Sequence, residues 1–239
     1  GAVWDKQIKE KLLNKSLLIS MNDTYKLHDY VSGFFLKQIN ESEQKMFYYK
    51  LTEYYLSSDN IQKYFFGLAY SVEFFERTKS VVLLDKYFDL TFSKMREKGQ
   101  LKSLRNLLRR LFTFPEREKL ICEPLNFKIQ YAYAIVKQEL GETSEAVKVF
   151  EKLLNQSDLD SNKYYKLLLM LADGYRLTGK IGACFEKIQM SIDFCQKKIK
   201  EHELYEQDLI KAKIEHAHCL YLLGKFIESK YAYDKIGND

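Results

Sequence analysis

Residues 133–154 read YAIVKQELGETSEAVKVFEKLL. Apolar residues recur at helical spacing on both sides of Gly141, so the stretch reads as two helices joined by a tight turn. Gly179 and Gly224 align with that glycine. Seven residues before each of the three stands a small residue: Ala134, Ala172 and Ala217. Five residues after each is another, Ala146, Cys184 and Ser229, and nine after each is a bulky apolar one, Phe150, Ile188 and Tyr233. Two antiparallel helices approach closely only where small side chains let their backbones meet, with large ones filling the space beside them. A glycine suits the end of the first helix because it tolerates a left-handed backbone.

Outward from this register, helical periodicity runs through almost the whole chain. It predicts helices near 5–19, 28–39, 42–57, 60–78, 80–98, 100–112, 119–140, 143–155, 161–178, 181–199, 203–223 and 225–236. Asp59-Asn60, Gly99, Pro115, Gly141, Asp158-Leu159-Asp160, Gly179 and Gly224 punctuate them. The strand candidates are SLLIS, residues 16–20, and TYKLH, residues 24–28, on either side of the turn-like MND.

The repeated register resembles the tetratricopeptide repeat (TPR). The segments at 133–154 and 171–192 match it well, and HCLYLLGKFIESKYAYDKI at 218–236 fairly well. FSKMREKGQLKSLRNLLRRLF, residues 92–112, reads as a degenerate earlier repeat around Gly99. The glycines are 38 and 45 residues apart (141 to 179, 179 to 224), longer than the usual repeat of about 34. Extended helices or loops between repeats are therefore expected. The resemblance covers about residues 128–236 and implies an all-α fold: a right-handed TPR-like superhelix of antiparallel helix pairs.

The N-terminal segment is of another kind. Ser16, Leu17, Leu18, Tyr25, Leu27, His28, Asp29 and Val31 fit the pattern that closes the winged-helix domain in STAND-class signal-transduction ATPases. KLTEYYLS, residues 50–57, resembles the first sensor helix of such proteins. The resemblance implies a winged-helix remnant over 1–40, a degenerate helical-repeat linker over 41–118 and TPR-like repeats over 119–239. It also implies an upstream nucleotide-binding domain as a partner, since the chain itself contains no GxxxxGK[ST] phosphate loop. The opening GAVWD lacks Met, and Gly1-Ala2 reads as a cloning scar, so a fragment of a longer protein is expected.

Composition narrows the function. Two prolines and ten glycines in 239 residues are too few for a β-sandwich with its many tight turns. A net charge of +5 is mild beside that of a dedicated nucleic-acid binder. No apolar run approaches the roughly 20 residues that span a bilayer. Cys122, Cys184, Cys195 and Cys219 form no CxxC pair, which points to a reducing cytoplasm rather than to zinc or a redox motif. His216 and His218 are about 200° apart on a helix and cannot share a metal. Neither GxSxG nor HExxH occurs, so no enzyme, cofactor or metal is expected.

His28 and Asp29 invite a catalytic reading. Neighbouring residues on a helix point apart, however, and catalysis needs a further group nearby. An acidic residue in a first helical turn and a histidine packed at the helix entrance account for the pair, and the family resemblance places it near an interdomain contact.

A helical solenoid presents the first helix of each pair to its groove. That face is expected to carry Tyr131, Ile135, Leu169, Asp173, Arg176, Ile214, His218 and Tyr221. Lys128, Lys166 and Lys211 each stand six residues before a register alanine. They form either a ladder for an acidic segment or carboxylate, or a chance column. Lys102, Arg105, Arg109 and Arg110 make a second basic cluster, either an anion patch or the solvated face of a helix whose other face is Leu101, Leu104, Leu107, Leu108 and Leu111. The expected partner is a protein or peptide, and the expected role a sensor or scaffold coupled to the upstream ATPase. The alternative is a TPR-containing transcription regulator whose winged helix binds DNA through KQIKEKLLNKS, residues 6–16.

Overall fold

The computed structural model describes residues 18–21, 24–27, 40–56, 61–156, 159–199 and 205–236. The chain divides into two compact units, Gly1–Gln100 and Leu101–Asp239. The sequence-based division falls instead at 40/41 and 118/119.

In the first unit, β1 (Leu18–Met21) and β2 (Thr24–Leu27) form an antiparallel hairpin with Leu18 opposite Leu27 and Met21 opposite Thr24. The two strand candidates are thus paired, and Leu18 and Ile19 belong to β1 rather than to the helix expected over 5–19. The rest of that helix and the helix expected over 28–39, with His28 and Asp29, lie outside the described residues.

Three helices follow, α1 (Glu41–Leu56), α2 (Ile61–Thr78) and α3 (Val82–Glu97), packed in sequence order. Asn40 starts α1 with a reciprocal cap: its Oδ1 accepts from the Glu43 amide at 3.0 Å, and its own amide donates to Glu43 Oε2 at 3.0 Å. The helices meet through aromatics. Tyr48, Phe74 and Leu83 are buried together, with Tyr49, Tyr70 and Tyr87 packed on them. The Tyr48 hydroxyl donates to Glu73 at 3.0 Å, which satisfies its polar end. At Gly67 an added Cβ would lie 2.7 Å from Leu56 Cδ2, so the bare backbone is what admits α1.

The second unit comprises α4 (Leu101–Phe112), a short α5 (Arg117–Leu120), α6 (Leu125–Glu139), α7 (Thr143–Leu154), α8 (Ser161–Leu177), α9 (Ile181–Ile199), α10 (Glu206–Leu222) and α11 (Phe226–Ile236). The single helix expected over 119–140 is two, broken over Ile121–Pro124. Proline has no N–H to donate and disfavours helical geometry in the residue before it. The next helix is capped by Glu123, which accepts from the Phe127 amide and the Asn126 side chain, both at 3.2 Å. α8 opens on Asp160, whose carboxylate accepts from the Lys163 amide at 2.8 Å.

α4 packs on α6 through Leu104, Leu107, Leu108 and Leu111, and each helix from α6 to α11 packs on the next. The register residues hold the seams. Ala134, Ala172 and Ala217 are buried, as are Ala146, Cys184 and Ser229, and the Ser229 hydroxyl donates to the Ala217 carbonyl at 2.7 Å. Phe150 and Ile188 are buried beside them, but Tyr233 is 44% exposed. α8 covers α7 and α10 covers α9; among the described residues no helix follows α11.

Gly141, Gly179 and Gly224 all take positive φ, as does Gly99 at the end of α3. Each closes the same double bond. In the Gly179 turn the Gly179 amide donates to Arg176 at 3.1 Å and the Lys180 amide to Tyr175 at 2.8 Å, which satisfies two carbonyls the helix end leaves open.

Candidate functional site

The first helices of the three pairs, α6, α8 and α10, carry the expected groove residues at equivalent positions. A polar row crosses from one helix to the next. Gln138 on α6 donates through Nε2 to Asp173 on α8, and Arg176 on α8 pairs with the same carboxylate. Asp173 holds the Arg176 pKa up, and the Glu215 carboxylate of α10 adds to that effect. One turn along α10, His218 Nδ1 lies 4.0 Å from Glu215 Oε2. The row therefore runs Gln138, Asp173, Arg176, Glu215, His218 over all three helices, half-exposed on α8 and α10.

The backbone lets this row form. An added Cβ on Gly174 would lie 2.6 Å from Val147 Cγ2 and 3.6 Å from Gln138 Oε1. Only a glycine there brings α8 close enough to α7 for Asp173 to reach Gln138. The Tyr175 hydroxyl, next in sequence, donates to Glu151 on α7 at 2.5 Å and clamps the same seam.

Apolar surface borders the row on α10, where Ile214 and Tyr221 are exposed and Tyr221 meets Phe226 edge-on at 5.2 Å. Leu169 is half-buried. Tyr131 stacks on Phe127 at 5.8 Å and meets Phe150 edge-on, so it leans toward α7. Ile135 was expected on the groove surface but is buried and belongs to the core. Its position is shielded because α6 has α4 on one side and α7 on the other.

Of the lysine column, Lys166 is exposed and Lys128 half-buried, while Lys211 lies 3.6 Å from Asp208 on its own helix. In the second basic cluster Lys102, Arg109 and Arg110 are exposed, opposite the leucine face. Arg105 is engaged: its guanidinium reaches Glu142 at 2.6 Å. Glu142 also takes the Lys137 ammonium at 2.8 Å, and Lys137 reaches Glu145 as well. Burial works against the Lys137 charge, but the hydrogen bonds of Glu142 and Glu145 outweigh it and raise the pKa. Lys137 and then Arg105 hold the Glu142 carboxyl below its ordinary range. This cluster ties α4 to the turn between α6 and α7 and leaves Arg105 committed within the fold.

His216 and His218 diverge as the helical angle requires. His216 lies against Phe185 of α9 at 4.8 Å, and burial lowers its pKa. Among the described residues no three His, Cys, Asp or Glu side chains are placed to hold a metal ion, and no helix is long and apolar enough to cross a membrane.

Gln138 and Glu215 are absent from the sequence-based site. Gln138 was within reach, since it stands three residues before Gly141 as Arg176 and Tyr221 stand before Gly179 and Gly224. Glu215 occupies no such column and becomes visible only once α8 and α10 are neighbours in space.

No family model matches the chain, and no curated protein matches it. Solved structures do. A Podosopora anserina protein classed as a kinesin light chain, with nearly identical TPR-like repeats, superimposes with a TM-score of 0.60 at 16% identity. That match covers 82% of this chain and 93% of the other. A point variant of the same protein gives a TM-score of 0.61 at 15% identity, covering 84% and 96%. At this identity the likeness speaks to the fold: apart from the β1–β2 pair, the described chain is a helical, TPR-like repeat structure.

Proposed function

We propose that the chain works by binding rather than catalysis, holding a protein or peptide segment across α6, α8 and α10. The observation that carries this reading is the polar row Gln138–Asp173–Arg176, which spans two repeats from a buried Gln138 to Asp173 and Arg176 half open to solvent, beside exposed Ile214 and Tyr221. Such a surface offers hydrogen bonds to a peptide and an apolar landing for its side chains. With Lys128, Lys166 and Lys211 along the same helices, the preferred ligand is acidic.

The test is selection of a displayed random-peptide library on the full chain, followed by affinity measurement of the enriched peptides. Acidic peptides are expected, with affinity falling about tenfold or more, some 1.4 kcal/mol, when Lys128, Lys166 and Lys211 are all changed to Glu. Changing Lys102, Arg109 and Arg110 instead leaves affinity unaltered. Failure to enrich any saturable binder, or indifference to the triple change, overturns the reading.

In the intact protein, on this proposal, residues 1–40 relay occupancy of the groove to an upstream STAND-class ATPase in the cytoplasm. Support comes from the Ser16–Val31 resemblance and from the pairing of β1 with β2. Ligand would shift the switch only by binding one of its two states more tightly. A phosphate loop encoded upstream in the same reading frame is the expected finding.

A further inference from the structure

Where the other seams of the second unit close on carbon and oxygen, the α9–α10 seam closes on sulfur. Cys184 of α9 occupies the column of Ala146 and Ser229, and Cys219 of α10 lies two residues beyond Ala217. Their Sγ atoms are 3.1 Å apart, both thiols are free, and both residues are about 1% exposed. Cys122 is exposed and Cys195 is buried elsewhere on α9. A solitary buried thiol is inert packing. Here each buried thiol has the other as its contact, and closing to the roughly 2.05 Å of a disulfide needs a shift of about 1 Å.

We propose that Cys184 and Cys219 are a site of reversible disulfide formation that clips α9 to α10 in response to hydrogen peroxide. Either thiol can donate to the other across this contact. With Cys184 donating, that hydrogen bond lowers the Cys219 pKa and the Arg176 guanidinium acts in the same sense, against burial and the Glu215 carboxylate, and Cys219 is then the attacking group. The Cys219 thiolate attacks one oxygen of the peroxide, the O–O bond breaks, and the leaving oxygen departs as water after taking a proton. The resulting sulfenic acid is attacked by the Cys184 sulfur, which loses its proton as the S–S bond forms and a second water leaves. Two thiols are oxidised by two electrons and one peroxide is reduced to two waters. A dithiol reductant returns both thiols by exchange through a mixed disulfide.

The clip would join residues 35 apart in sequence, restricting the unfolded chain more than the folded one. The fields of Arg176 and Glu215 reach both thiols, so the clip sits against the α8–α10 part of the polar row. Any effect on peptide affinity rests on the groove reading; formation of the clip does not.

The experiment uses the full chain with Cys122→Ser, which removes the exposed thiol. The protein is treated with dilute hydrogen peroxide while folded, then digested without reduction for mass spectrometry. A Cys184–Cys219 linked peptide, lighter by two hydrogen atoms than the two thiol peptides, is expected, with Tm higher by about 5 °C. Both changes reverse with dithiothreitol. Cys184→Ala, which places at this seam the residue found at Ala146, folds and shows neither change. Persistence of both thiols, oxidation that stops at separate sulfenic or sulfinic acids, or linkage to Cys195 instead would overturn the proposal. Equal peptide affinity of the clipped and open forms would count against the groove reading and leave the clip standing.

Discussion

The two units solve helix packing in different ways. Residues 40–97 bring α1, α2 and α3 together with large aromatic side chains, Tyr48 and Phe74 at the centre and Tyr49, Tyr70 and Tyr87 around them. Residues 125–236 use a column of small residues, repeated at each turn, that lets backbones approach and hands the filling to one bulky neighbour. The first way is local: each aromatic fits its own surroundings, and no spacing recurs. The second is periodic, and a periodic solution yields equivalent surfaces on successive helices. That is why the polar row lies on α6, α8 and α10.

A periodic seam makes a prediction that a local one does not: equal positions should matter equally where they are equally covered, and only there. Phe150 and Tyr233 share a column, yet Phe150 is fully buried and Tyr233 is 44% exposed. Phe150→Ala is expected to lower stability by about 3–5 kcal/mol, from lost burial and an unfilled cavity. Tyr233→Ala is expected to change it by no more than about 0.5 kcal/mol. Urea unfolding followed by circular dichroism measures both. A large loss at Tyr233 would mean that the column is defined by sequence alone and not by the helix that covers it.

The next break is at Gly174, where α8 meets α7. Gly174→Ala gains about 1 kcal/mol of helix propensity. It also sets a methyl 2.6 Å from Val147 Cγ2, a clash with a stiff branched side chain. Overpacking costs about 1–3 kcal/mol, so a net loss of up to about 2 kcal/mol is expected. Val147→Ala in the same chain should restore part of it, and a double-mutant cycle reads the coupling directly. A null coupling would show that α7 and α8 are free to slide apart and that the Gln138–Asp173 bond does not depend on their closeness.

These two positions also mark what sequence can reveal. Gly141, Gly179 and Gly224 were legible because a left-handed turn demands a particular residue at a particular place, and the alanines followed from that frame. Gly174 and Gly67 do the opposite job, admitting a neighbour in mid-helix, and nothing in their spacing announces it. The break at Pro124 was overridden by apolar periodicity running from 119 to 140, although the missing amide was there to be weighed. The groove face was found as a column, but its wiring was not. Asp173 has Arg176 on its own helix, a turn away, while its bond to Gln138 depends on the distance between two helices. The Cys184–Cys219 contact is of that second kind, since residues 35 apart meet only when α9 and α10 are packed.

The smallest effect tests the turns themselves. Four helices end on glycines with positive φ, whereas α2 ends on Lys79 at φ 60°, a left-handed lysine whose amide donates to the Phe75 carbonyl at 2.8 Å. A left-handed L-residue costs about 1–2 kcal/mol, partly offset because lysine loses less backbone freedom on folding than glycine does. Lys79→Gly should therefore stabilise the first unit by about 0.5 kcal/mol, and Gly179→Ala should destabilise the second by about 1 kcal/mol. The opposite signs are the point: the same backbone conformation is met by an unsuitable residue at the α2–α3 corner and by the suitable one at the repeat turns. Were Lys79→Gly to destabilise, the Lys79 side chain, whose ammonium donates to the Glu76 carbonyl at 2.8 Å, would be holding the turn. The α2–α3 corner would then rest on a side-chain contact where the repeats rest on backbone freedom.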